Sequence, residues 1–170
     1  AHPIGCTHHQ KIAVLDNKVA VCGGIDMTDK RWDTRDHKEH DPRRKTPRGT
    51  DYGPWHDVSM MMEGDVAKAL ADLGGDRWIC AGGNQLPDVE DGPGNPWPNA
   101  LTAQFEDVEI GIARTRAAYR DWDKVDEIAQ LYLKHIAGAK RFIYAESQYF
   151  ASRVIAEAII ERLQEDDPPE

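Results

Sequence analysis

Two short apolar runs, Ile12–Leu15 and Val19–Cys22, flank the pair Asp16-Asn17, and no other stretch constrains the fold of this chain as strongly. Asp and Asn are turn-formers, and the flanking residues alternate with a period of two, so the stretch predicts a β-hairpin. Polar residues gather at its two ends. His8-His9-Gln10-Lys11 enter it, and Gly23-Gly24-Ile25-Asp26 leave it. On a strand His9 and Lys11 leave the same face, whereas His8 faces the other side. A histidine beside a lysine near a Gly-Gly step suits a phosphate. It offers a nucleophile or proton carrier, a fixed positive charge and backbone that a substrate can approach.

The chain has 170 residues, 40% hydrophobic and 30% charged, which is one domain's worth of globular protein. No apolar run approaches the ~20 residues that span a bilayer, and the first residues carry no leader pattern. A soluble protein is expected, cytoplasmic or at a peripheral membrane surface. The net charge of −9 counts against a general nucleic-acid binder, which would show a basic face. Cys6, Cys22 and Cys80 make neither a disulfide ladder nor a zinc pattern, and are expected as buried free thiols.

Beyond the hairpin, residues 35–51 are almost wholly polar, broken by Pro42, Pro47 and Gly49, with a basic cluster of Arg43, Arg44, Lys45 and Arg48. A long exposed loop is expected there. His37 and His40 lie in it without an organised third ligand, so no metal site is expected. His56–Glu63 reads as a strand, and Val66, Ala69, Leu70, Leu73 and Trp78 as the apolar face of a helix capped by Asp65 or Gly64. Residues 82–100, rich in Gly and Pro, form a second loop. Val108–Arg114 and Arg141–Glu146 read as further strands. Helices follow from Asp123 to about Gly138, and from a Ser152 cap through Leu163. The expected architecture is α/β, a mixed sheet covered by helices in an α-β-α sandwich, with no internal repeat.

Several segments resemble, in order, the phospholipase D superfamily. His9-x-Lys11-x4-Asp16 resembles its signature, Gly23-Gly24-Ile25-Asp26 the element that follows it, and Arg31-Trp32-Asp33 the next. Pro54-Trp55-His56-Asp57 resembles the Trp-His-Asp element of phospholipases, and Ile143–Phe150 the Ile-Glu-Asn-Gln-Tyr-Phe element, with Ser147 in place of Asn. The resemblance implies one half of a two-lobed fold, the whole of residues 1–170 forming a single catalytic half-domain. It implies hydrolysis or transfer of a phospholipid headgroup ester through a phosphohistidine on His9, to water or an alcohol, without metal or cofactor. Lys11 and Asp26 would hold the phosphate oxygens, Gly24 would offer its N–H, and Asp57 would pair with the histidine ring. Asp16 completes the motif and looks structural.

A complete member carries two such motifs, and here there is one. His2, His37, His40, His56 and His135 each lack a lysine two residues later. The chain is therefore expected to be the first half of a longer enzyme, inactive or weak alone. It would be completed by a C-terminal half or by a second copy in a homodimer. Two other readings stand beside it: a dimeric single-motif phosphodiesterase or nuclease, and a non-catalytic phosphate-binding remnant.

Overall fold

The computed structural model describes residues 4–5, 7–89, 94 and 96–170. Two compact units emerge, one spanning Thr7–Val108 and one containing Glu109–Glu170.

In the first unit the expected hairpin forms from β1 (Lys11–Leu15) and β2 (Val19–Gly23). Asp16 and Asn17 sit at φ 51° and 55°, and the Lys18 N–H donates to the Leu15 carbonyl at 3.0 Å. Two successive left-handed residues give a tight turn whose twist matches the strands, and Asp and Asn tolerate that conformation better than most side chains. β3 (Ser59–Glu63) adds antiparallel to β2, giving the order β1-β2-β3. It starts three residues later than the alternation suggested, because Asp57 is drawn to the backbone of Val58. Gly64, at φ 86°, turns the chain from β3 into α1 (Asp65–Cys80), a conformation that favours glycine.

The register pairs Ile12 with Cys22, Val14 with Ala20, and Ala20 with Met62, so these residues share one face of the sheet. α1 covers it with Ala67 and Leu70, while Val66 and Leu73 pack at the margin. Ala67 rather than Ala69 is the buried alanine, and Trp78 is half exposed, its indole N–H donating to the Asn84 carbonyl at 2.8 Å. Burying Leu70 contributes about 2 kcal/mol. Cys22 and Cys80 are free and half-buried. Cys6, and residues 90–93 and 95 of the second loop, lie outside the described residues.

The second unit holds β4 (Thr115–Arg116), β5 (Val125–Asp126), α2 (Glu127–Gly138) and α3 (Arg153–Leu163). Strands and helices alternate along the chain, so its α/β character is as expected, with every named strand pair antiparallel. Two of the expected strands do not join a sheet. Val108–Arg114 is extended without a ladder, and only Thr115 and Arg116 pair, with Asp126 and Val125. Arg141–Glu146 pairs instead with the chain end: the Ile143 N–H donates to the Glu170 carbonyl at 2.7 Å, and the Glu170 N–H to the Arg141 carbonyl at 3.0 Å. Alternation alone cannot tell a strand from an extended segment whose partner is one residue. α2 starts at Glu127, whose carboxylate takes the Arg114 backbone N–H at 2.8 Å and its guanidinium at 2.7 Å. Ser152 caps α3 as expected, accepting from the Ile155 N–H.

Candidate active site

Lys11 opens β1 opposite Gly23. Since Ile12 and Val14 face α1, strand alternation sends Lys11 to the other face of the sheet. There its ammonium lies 2.9 Å from Asp26 Oδ1 and donates to the His9 carbonyl at 3.3 Å. The Lys11 side chain is 10% exposed and that of Asp26 46%, so the stem is covered while the charge stays at the edge of water. The hydrogen bond from Lys11 holds the Asp26 carboxyl below its usual range. Burial opposes this, and the charges of Lys11, His9 and Arg31 reinforce it. An ionised carboxylate is an acceptor only. It has no proton of its own to offer a phosphate oxygen, and its contact here is with the Lys11 ammonium. His9 is exposed, just ahead of the strand.

Gly24 continues the ladder past β2, its N–H donating to the Val58 carbonyl at 3.1 Å. That donor is therefore engaged by the sheet in this structure. Glycine matters here for another reason. A Cβ at this position would lie 2.4 Å from Asp57 Oδ1, so the missing side chain makes room for that carboxylate. Asp57 Oδ1 also accepts the Val58 N–H at 2.7 Å. The Asp57 carboxylate is thus turned to backbone, and among the described residues no hydrogen bond joins it to the His9 ring.

The segment Gly24–Val58 leaves and re-enters the sheet at Gly23 and Ser59, which are paired neighbours. Its organising residue is Asp33, which the resemblance named only within Arg31-Trp32-Asp33 and gave no role. Asp33 accepts from the Thr34 N–H at 2.7 Å, the Trp55 N–H at 2.8 Å and Arg44 at 3.2 Å, and meets His37 Nδ1 at 2.9 Å. Burial pushes its carboxyl up, but His37, the two backbone donors and the Arg44 charge outweigh that and bring it down to about 2. Arg44 is 1% exposed and also donates to the carbonyls of Lys38 and Glu39. The expected basic cluster is therefore not a free patch. Arg44 is buried, Arg43 is clamped on Asp41 with Nε at 2.9 Å, and Lys45 lies 3.5 Å from Asp51. His37 meets the ring of His56 edge-on, with centroids 5.4 Å apart. The guanidinium of Arg31 lies over the Trp55 ring at 4.0 Å.

His9, Lys11, Gly24, Asp26 and Asp57 thus converge where β1, β2 and β3 end together. Asp16 does not. It occupies the turn at the far end of the hairpin, roughly 15 Å away at strand rise, and its role there is the left-handed backbone. Tyr149 and Phe150 are exposed in the second unit, and the Ser147 hydroxyl donates to the Tyr149 carbonyl at 2.7 Å. Among the described residues no helix is long and apolar enough to cross a membrane.

The sequence is similar to those of known proteins. The family profile described as Phospholipase D matches residues 2–156. Phospholipase D alpha 1 of Oryza sativa subsp. japonica is 29% identical over 194 residues, 85% of this chain and 24% of its own length. The proteins of that name from Vigna unguiculata and Arabidopsis thaliana are 28% and 27% identical, with the same coverage. The chain thus spans about a quarter of the length of these relatives, 24% in each case.

Proposed function

The chain belongs to the phospholipase D family, and from that premise we propose that residues 1–170 form one catalytic half-domain of a phospholipid phosphodiesterase with His9 as nucleophile. The observation that carries the proposal is the Lys11–Asp26 pair at 2.9 Å, set against His9 at the open end of the hairpin. A His9 ring nitrogen attacks phosphorus, the bond to the headgroup oxygen breaks, and a phosphatidyl-histidine remains. The leaving alkoxide needs a proton, which a second histidine supplies from a partner half. Water or an alcohol then attacks the phosphorus, gives its proton to that same histidine, and releases His9. Lys11 holds a non-bridging oxygen while negative charge builds on the phosphoryl group, and Asp26 keeps the ammonium aimed. Asp57 acts on the same end of the sheet through Gly24.

The surface of the molecule supports a missing partner. Large apolar side chains such as Phe105, Phe142, Tyr149 and Phe150 stand exposed, the kind of surface a partner would cover. The partner is a C-terminal half with the second motif; a second copy of this chain is the alternative that the assay separates.

The chain is tested alone on vesicles of mixed phosphatidylcholine and phosphatidylglycerol, following phosphatidic acid release. As a monomer it should show no turnover, and robust monomeric turnover would sink the half-site reading. Activity rising with the square of concentration would identify the homodimer. In parallel, inorganic phosphate should shift the Lys11 and His9 resonances, with Lys11→Ala weakening that binding about tenfold.

A further inference from the structure

Lys11 is not the only cation at this end of the sheet. Arg31 lies five residues beyond Asp26, and its charge is felt at that carboxylate. Its guanidinium carbon is 4.0 Å from the centroid of Trp55. The Trp55 backbone is itself anchored, its amide N–H donating to Asp33 Oδ2 at 2.8 Å. Two residues on, Asp57 lies against Gly24 at the end of β2. Arg31 is therefore stacked on a fixed platform that leads directly into the phosphate site.

Its hydrogen bonding is sparse. Among the described residues its one hydrogen bond runs to the adjacent Lys30 carbonyl at 3.4 Å, and its Nε is buried without a partner there. Lys11, by contrast, is matched by Asp26 at 2.9 Å. Arg31 thus brings a positive charge that no carboxylate pairs among the described residues.

We propose that Arg31 sets headgroup selectivity, favouring phosphodiesters with anionic or uncharged polyol headgroups over those with quaternary ammonium headgroups. The proposal rests on the reading of His9 and Lys11 as the phosphate site. A quaternary ammonium group is best received by an open aromatic face. One face of the Trp55 ring is already covered by the Arg31 guanidinium. A choline headgroup arriving there loses the ring and meets a like charge. A glycerol headgroup meets the remaining guanidinium N–H donors, which suit hydroxyls, and an anionic one gains an ion pair.

The test compares two soluble diesters of one backbone, glycerophosphoglycerol and glycerophosphocholine, titrated into the full chain and read by NMR at Lys11 and Gly24. Glycerophosphoglycerol should bind about tenfold tighter, the size of effect expected for one like-charge contact near a surface. Arg31→Gln should bring the two affinities within about twofold, mainly by improving glycerophosphocholine. Arg31→Lys keeps the charge without the planar stack, and should retain most of the difference while leaving the hairpin resonances in place. Equal affinities in the unaltered chain, or a ratio that survives Arg31→Gln, overturns the proposal. Absence of binding by either diester and by inorganic phosphate overturns the phosphate site itself, and this proposal with it. Phosphate binding with a flat diester ratio overturns the selectivity alone.

Discussion

The hairpin and the segment Gly24–Val58 both deliver side chains to the same end of the sheet, and they do so by opposite means. The hairpin uses ladder hydrogen bonds between β1 and β2, closed by a two-residue turn. Its contacts are local in sequence, so forming it costs little chain entropy. The segment Gly24–Val58 must close a long excursion, at about 3 kcal/mol beyond that of a minimal loop. It does so with one buried acid and one buried base, Asp33 and Arg44, which tie residues 33, 37–39, 44 and 55 together. Ladder bonds are made of backbone and tolerate most side-chain changes. A charge knot depends on two particular residues, and the difference should show in how each region fails.

The largest expected effect is on the knot. Arg44→Ala takes one of four partners from Asp33 and the donor from two carbonyls, and should cost on the order of 3 kcal/mol in chemical denaturation. Amide exchange should then rise at Trp55 while the β1–β2 amides keep their protection; equal loss in both regions would erase the contrast. Next come two neighbouring glycines. Gly23→Ala places a Cβ 2.6 Å from the Ser59 backbone, so the sheet must shift, and a loss of about 2 kcal/mol is expected. Gly24→Ala meets the free end of Asp57, which can rotate away. It should cost under about 1 kcal/mol, yet move the Val58 amide resonance as the carboxylate leaves it. The smallest effect is confined to acid. The folded chain favours the Asp33 carboxylate, so its contribution is complete above the unfolded value near 4 and is withdrawn as pH falls toward about 2. Asp33→Asn should flatten the stability profile across that window, measured by urea midpoints from pH 5 to pH 2.

This contrast also explains what could be read from the sequence. Period-two runs, a turn pair and a cap are local signals. They placed β1, β2, α1 and α3, and put His9, Lys11 and Asp26 at one end of the hairpin. The Asp33–Arg44 pair has no local signal. Eleven positions apart in a polar stretch, the two residues look like solvated charge, and only the folded path of the chain removes them from water. The Gly24 N–H was assigned from motif order, which says nothing about the ladder partner that takes it. Val108–Arg114 and Arg141–Glu146 failed for the complementary reason. Their alternation is real, but a strand is defined by its neighbour, and among the described residues neither segment has one of matching length.

The strand order β1-β2-β3 leaves β1 at the rim of the sheet. One row of its backbone donors and acceptors is paired to β2, and the ladder leaves the other row open. An open row is a template for any extended peptide, including another molecule of the same sequence. A chain joining there would dock beside Lys11 and His9 without disturbing the Lys11–Gly23 register. The strand that carries Lys11 is therefore also where self-templated aggregation would begin, and a charged substitution on its solvent edge would be the first remedy in producing this protein.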